Sequence, residues 1–152
     1  MRRAKRRCML FKVDLEKGYD SLCWKYLLSI LEQMHFPRKW VNWISAILSM
    51  AWSSALVNGS PTGEFESTRG LTQRDPISPY LFILAMGGLT CMMKRACCLS
   101  GIYNGISLAN NGPSFSHLLF VDDVLFLGEW SPSNALMLKS ILRCFSFVSA
   151  LS

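Results

Sequence analysis

The sequence predicts an α+β fold in which an antiparallel sheet carries helices packed on one face. Three observations lead there. Short apolar runs of strand length occur at Leu10–Val13, His117–Val121 and Val124–Leu127. Apolar residues recur at helical spacing in Leu22, Tyr26, Leu27, Ile30, Leu31 and Met34, and again in Trp40, Val41, Ile44, Ile47 and Leu48. The two kinds of segment follow one another in the order β-α-α-β-β-α-β-β-α, which is not the strict alternation of a parallel α/β sheet.

Taken in chain order, Leu10–Asp14 reads as a strand that ends in a carboxylate. A helix is predicted over Ser21–Met34, and Pro37 then restarts a second one. Ala55–Gly59 and Glu64–Ser67 read as two strands joined by a Gly/Ser/Pro turn. Asp75-Pro76 has the form of a helix start, and that helix is predicted to run to Cys97. Gly101–Gly112 reads as a loop rich in Gly and Asn. The strands on either side of Asp122-Asp123 then form a tight hairpin with both carboxylates at its tip. A final helix begins near Pro132-Ser133.

The 152 residues suit one domain. Hydrophobic residues at 51% against 17% charged exclude an intrinsically disordered chain. The net charge of +6 is concentrated at one end, where Arg2, Arg3, Lys5, Arg6 and Arg7 supply five of sixteen basic residues. The other eleven face ten acidic residues, so the body is close to neutral. The organisation expected is a basic head over residues 1–9 and a folded domain over residues 10–152. Such a head suits phosphate binding or a localisation signal, and equally a solvated terminus. No apolar segment follows it as a secretory leader requires.

The six cysteines show no C-x-x-C pair, and His35 and His117 lie near no cysteine pair, so the expectation is reduced, mostly buried thiols and no zinc. This implies an intracellular protein of the nucleus or cytoplasm. Tyr80–Met93 is uncharged but shorter than the roughly 20 residues a membrane span needs, so it reads as a core helix, with no membrane partner.

Asp14, Asp122 and Asp123 each sit at the edge of an apolar strand, where a carboxylate is costly unless solvated, paired or bound to a metal. Two carboxylates about 4 Å apart repel by roughly 4 kcal/mol at an effective dielectric of 20. A magnesium ion reverses that sign. An Asp-Asp dipeptide alone is most often simply a turn, and its surroundings decide the matter.

Three blocks supply those surroundings. The first is Phe11-Lys12-Val13-Asp14-Leu15-Glu16-Lys17-Gly18-Tyr19-Asp20. The second is Val57-Asn58-Gly59 followed by Arg69-Gly70-Leu71-Thr72-Gln73-Arg74-Asp75-Pro76-Ile77-Ser78-Pro79-Tyr80-Leu81-Phe82. The third is Leu118-Leu119-Phe120-Val121-Asp122-Asp123. In this order they resemble the palm of reverse transcriptases, specifically of LINE-type (non-LTR) retrotransposons abundant in plant genomes. The family patterns are F-K-x-D-x-x-K-A-Y/F-D, R-G-x-x-Q-G-D-P-x-S-P-x-L-F and F/Y-x-D-D. The resemblance covers essentially the whole chain.

The resemblance implies an RNA-directed DNA polymerase that uses two Mg²⁺ or Mn²⁺ ions and takes an RNA template, a DNA primer and deoxynucleoside triphosphates. Asp14 and Asp122 would be metal ligands, with Asp123 supporting the site. Lys17 and Gly18 would turn backbone N–H groups towards the triphosphate, and Tyr19 would sit under the sugar and exclude ribonucleotides. Gln73 would contact nucleotide and template, and Arg69 would hold that segment. By their residue types alone, Tyr19 suits a core aromatic, Arg69 a surface charge and Gln73 a helix-flanking polar residue.

The sequence departs from the pattern at Arg74, which stands where the family has Gly, and at Gly18, where Ala is usual. An arginine at position 74 crowds a place where glycine allows close backbone approach. Relative to the family, the stretch starts beyond the N-terminal part of the fingers and stops before the thumb. It also lacks an endonuclease, so the expectation is an incomplete palm domain with negligible activity by itself. The missing segments of a parent polyprotein would then be partners. The alternative is a catalytically dead retroelement remnant that binds nucleic acid weakly through its basic head.

Overall fold

The computed structural model describes residues 7–15, 17–56, 69–72, 75–107, 112–120 and 123–150, with no account of the side chains of 51–56. Its elements are β1 (Cys8–Asp14), α1 (Gly18–Ser21), α2 (Trp24–Gln33), α3 (Arg38–Leu56), α4 (Ser78–Lys94), β2 (Ile106–Ser107), β3 (Ser114–Phe115), β4 (His117–Phe120), β5 (Asp123–Glu129) and α5 (Pro132–Ser149). Helix α4 continues into a π-helical segment, Arg95–Leu99. The protein is thus mixed helix and antiparallel sheet. The chain divides into two compact units, one of Met1–Glu16 with Gly88–Phe147, the other of Lys17–Gly87 with Val148–Ser152.

In the first unit β5 is the central strand of an antiparallel sheet ordered β1-β5-β4. Its side chains alternate strictly: Val124, Phe126 and Gly128 are buried, while the residues between them are half-exposed. Directly opposed residues share a face, so Val13, Phe11 and Met9 of β1 lie on the buried side. Lys12 and Asp14 lie on the other with Leu10 and, from β4, Leu118 and Phe120. Leu10 is 67% exposed and Phe120 76%, which leaves that second face open.

Glycine is required at position 128 by packing. A Cβ there would stand 2.6 Å from the Tyr103 hydroxyl oxygen, and that hydroxyl donates to the Leu127 carbonyl at 3.0 Å. Small β2 and β3 pair with each other beside the main sheet. Helix α5 starts on a built cap: the Ser131 hydroxyl accepts from the Asn134 N–H at 3.1 Å, with Pro132 at the first helical position. Asn134, Leu138, Ile141 and Phe145 form its buried stripe.

In the second unit, α2 buries Tyr26, Leu27 and Leu31, and α3 buries Val41, Ile44 and Leu48. The turn between them is a Schellman motif. The His35 N–H donates to the Glu32 carbonyl at 2.9 Å and the Phe36 N–H to the Leu31 carbonyl at 3.1 Å, with His35 in the left-handed region at φ 61°. The first half of α4 buries Leu81, Phe82, Ala85 and Met86 in this unit, and the Tyr26 hydroxyl donates to the Ala85 carbonyl at 2.8 Å.

Several expectations are corrected. The helix predicted over Ser21–Met34 is two, α1 and α2, separated by the extended Leu22 and Cys23. Ala55 and Leu56, read as strand, are the last turn of α3; the rest of that strand pair lies outside the described residues. The segment read as a loop contains a short strand, β2, which pairs with β3 just beyond it. Asp75 does not cap α4 directly: its carboxylate accepts from the Ile77 N–H at 3.1 Å in a turn, and the helix starts at Ser78. Four of the six cysteines are exposed, because the helices that carry Cys91, Cys98 and Cys144 turn them outward and Cys8 is the first residue of β1. Trp43 and Trp130 are more than half exposed. Ser78–Leu99 is long and apolar enough to cross a membrane by composition. Leu81, Phe82, Ala85, Met86, Leu89 and Met93 on it are buried, while Tyr80 and Ile83 are exposed.

Asn134 yields a stability prediction. It is fully buried; its amide donates to the Glu129 carbonyl at 2.7 Å and the Asn104 carbonyl at 2.9 Å, and its oxygen accepts from the Asn104 N–H at 2.9 Å. Asn134→Ala removes all three, and although the Asn104 carbonyl keeps the Glu129 N–H at 2.9 Å, the Asn104 N–H and the Glu129 carbonyl lose this partner, at a cost of about 3 kcal/mol. Urea unfolding measures it; a loss under about 1 kcal/mol would show that water replaces the amide.

Candidate functional site

Asp14 is the last residue of β1 and Asp123 the first of β5, and the register sets them directly opposite each other. Cβ atoms of such a pair stand about 5 Å apart on one face, and like charges placed so are destabilising. Among the described residues, a lysine cation stands beside them. The Lys12 ammonium lies 3.0 Å from a carboxylate oxygen of Asp123, with side chains 59% and 38% exposed. An ion pair this exposed contributes at most about 1 kcal/mol. Asp122 lies outside the described residues. Among those described, no three His, Cys, Asp or Glu gather into a metal-binding cluster.

Two opposed carboxylates that reach solvent at a strand end nevertheless fit a hard divalent ion. Magnesium is held by one or two carboxylates and completes its shell with water or phosphate oxygens. The donor set holds no soft ligand, and oxygen donors of this kind do not select zinc.

The other predicted residues fall in the second unit. Lys17 is exposed at the start of α1, where its carbonyl accepts from the Ser21 N–H at 3.1 Å and the Ser21 hydroxyl at 2.9 Å. Gly18 follows it and is buried. Tyr19 stacks on Phe82 with ring centroids 4.5 Å apart and planes 15° from parallel.

Arg69 forms a β-bridge with Cys23, and its side chain is exposed. Next to it the Gly70 N–H donates to the Leu22 carbonyl at 2.8 Å, and the Leu71 N–H to the Tyr19 carbonyl at 2.5 Å. The Trp24 indole donates to the Gly70 carbonyl at 2.5 Å. These bonds bring the start of the second sequence block against the end of the first. Gln73 and Arg74 lie outside the described residues.

Two features escaped the sequence. Lys12 was legible in principle, since a residue two before Asp14 on a strand shares its face. The second is a cavity of about 490 Å³ in the first unit, lined among others by Lys94, Cys97, Cys98, Tyr103, His117 and Glu129. Its groups are tuned by burial. Burial first, and then the neighbouring Cys97, push the Tyr103 hydroxyl up to about 12. Burial raises Cys97 as well, against the effect of its hydrogen bond with Ser116. His117 is lowered by burial and then by Lys94. Its ring nitrogens lie 2.9 Å from the Ser116 hydroxyl and 3.1 Å from that of Thr90. A raised thiol is a poor nucleophile, so the cavity reads as structural.

Residues 1–148 match the family described as reverse transcriptase (RNA-dependent DNA polymerase). The chain is 47% identical over 80 residues to an uncharacterized mitochondrial protein of Arabidopsis thaliana, covering 53% of this chain and 64% of that one. It is 31% identical to the retrovirus-related Pol polyprotein of the type-2 retrotransposable element R2DM of Drosophila melanogaster over 143 residues, which are 94% of this chain and 13% of that one. It is 27% identical over 118 residues to the Pol polyprotein of the type-1 element R2 of Popillia japonica, covering 77% of this chain and 16% of that one. The chain therefore spans only part of each of these relatives.

Two predictions follow from the geometry. Gly70 has φ +90°, and a Cβ there would stand 2.9 Å from the Asp20 carbonyl oxygen. Gly70→Ala is expected to lower stability by about 1–2 kcal/mol for the backbone alone, with an added loss from displacing Asp20. An unchanged urea midpoint would contradict the pinning of Arg69–Leu71 on Tyr19–Trp24. For His117, the folded value lies below the ordinary 6.5, so the unfolded chain takes up the proton first as pH falls. Stability is then full above about 6.5 and declines below it until the folded-state value is passed. Urea unfolding at about pH 8 and about pH 5 should show this decline, and His117→Gln should reduce it. An identical decline in both proteins would assign it to other groups.

Proposed function

The chain belongs to the reverse transcriptase (RNA-dependent DNA polymerase) family, among non-LTR retrotransposon relatives, and we propose that its site performs divalent-metal-assisted nucleotidyl transfer, extending a DNA primer on an RNA template. The observation that carries this reading is the direct opposition of Asp14 and Asp123 on the open face of the sheet. Stability alone gives no reason to oppose two carboxylates, whereas a site for a divalent ion does. An antiparallel sheet with one buried and one open face supports the finer reading of this unit as a polymerase palm.

Asp14, Asp123 and Asp122 would hold Mg²⁺ or Mn²⁺. When bound, two such ions activate the attacking hydroxyl and stabilise the charge of the displacement. The chain's own residues orient the reactants. Lys17 and Gly18 offer backbone N–H groups to the triphosphate. The Tyr19 ring, steadied on Phe82, supports the sugar and leaves no room for a 2′-hydroxyl. Arg69 and Gln73 belong to the segment that borders nucleotide and template. The pinning of Arg69–Leu71 onto Tyr19–Trp24 supports a shared role for these two stretches.

Primer extension on an RNA template with Mg²⁺ or Mn²⁺ tests the reading. Little extension is expected from the native chain, because Arg74 stands where the family has glycine. Arg74→Gly should recover extension, and adding Asp14→Asn should remove it again by at least about 10²-fold, more than the loss from a supporting residue around a metal. No extension from Arg74→Gly would sink the polymerase reading for this chain. Retention of nucleic acid without extension would leave the chain a binding remnant.

A further inference from the structure

We propose that Lys12 is a resident counter-ion of the carboxylate pair, a positioning residue that holds Asp123 until a hard divalent cation displaces its ammonium group. The inference rests on the reading that Asp14 and Asp123 receive such a cation, and it adds what occupies the pair before the cation arrives. On β1, Lys12 and Asp14 are two residues apart and so share a face. The register sets Lys12 opposite Leu125 and Asp14 opposite Asp123, which makes Asp123 the diagonal neighbour of Lys12. A diagonal of this kind spans about 7–8 Å and lies within reach of a long side chain. The lysine stem spans it and brings the ammonium to 3.0 Å from Asp123.

Among the described residues, one positive charge beside two opposed carboxylates leaves the pair net negative, so attraction for a divalent ion persists. That ion must still take an oxygen of Asp123 from the ammonium. Lysine suits an exchangeable hold, because its ammonium is a compact, strongly hydrated point charge without the fixed fork of arginine. Solvent reaches both partners, so the closed form is only weakly favoured. The apparent metal affinity is then the intrinsic affinity reduced by the fraction of chains in which Asp123 is free.

The test is Mn²⁺ binding to the full chain, read from the electron paramagnetic resonance signal of free Mn²⁺, for the native protein, Lys12→Met, Lys12→Arg and Asp14→Asn. Lys12→Met keeps most of the stem and removes the charge. It should bind Mn²⁺ about two- to fivefold more tightly, the factor an exposed ion pair corresponds to. Lys12→Arg should bind more weakly than native, because the guanidinium grips a carboxylate with two parallel hydrogen bonds. Asp14→Asn should lose most of the binding. Native-like affinity in both Lys12 variants, with binding still lost in Asp14→Asn, would overturn the counter-ion and leave the metal site standing. Equal binding in all four proteins would remove the metal site and the counter-ion together. If Lys12→Met does not unfold cooperatively in urea, Lys12→Arg decides alone, and an affinity equal to or above native overturns the proposal.

Discussion

The register of β1 against β5 is the constraint on which the rest of the first unit depends. A single alternation sends Val124 and Phe126 into the core and turns Asp123, Asp14 and Lys12 outward. A slip of one residue would move every side chain of a strand to the opposite face. The burial that stabilises the sheet therefore also fixes the acidic pair, and the core cannot be re-registered without dismantling the site. Gly128 strengthens this coupling, since the Tyr103 hydroxyl occupies the space a side chain would need. The Asn134 amide ties the far end of β5 to the segment at Asn104 and to the start of α5.

The second unit uses backbone hydrogen bonds to similar effect. Arg69–Leu71 and Tyr19–Trp24 are some fifty residues apart in sequence, yet a short antiparallel bridge and the Trp24 indole hold them together. Gly70 allows this because its φ of +90° turns the chain beside the Asp20 carbonyl. The Tyr19 ring, on the same stretch, lies against Phe82 of α4. Of the residues proposed to bind nucleotide, Tyr19 thus rests on a helix and Arg69 on a pinned turn. Such rigidity matters because small misplacements near a reacting centre are costly.

Much of this was legible in the sequence, and the misses have physical reasons. The helical stripes of α2 and α3 were visible because apolar residues at 3.6 spacing survive any tertiary context, and α5 was visible from its start at Pro132-Ser133. The β2–β3 hairpin was not, since two-residue strands carry no periodicity. Leu56 belongs to a helix despite the strand-like Leu56-Val57, because α3 simply continues through it. Composition cannot say which side of a helix faces solvent, and Trp43 lies outward with the Lys39 ammonium 5.2 Å from its ring centre. Of the site, the residue types and their place at strand ends could be read directly. Which carboxylate opposes Asp14 could not, since that depends on the register of β1 against β5, two strands more than a hundred residues apart in sequence.

The position of the acidic pair along the sheet also has a physical logic. In the middle of β5 a carboxylate would lie between Leu125 and Leu127 and lose much of its hydration, at a cost that only a permanent partner offsets. At the strand end, Asp14 stays exposed and Asp123 half-exposed, so the repulsion between them is screened by water and by one lysine. The pair is therefore tolerable without a metal while it keeps oxygen atoms free to bind one. Were it buried more deeply, a tightly bound counter-ion would be needed for the chain to fold, and the site would be closed to exchange. Were it further out in a loop, the sheet would no longer set the spacing of the two carboxylates. The end of a registered strand pair meets both demands of the proposed metal site, and the carboxylates occupy the last residue of β1 and the first of β5.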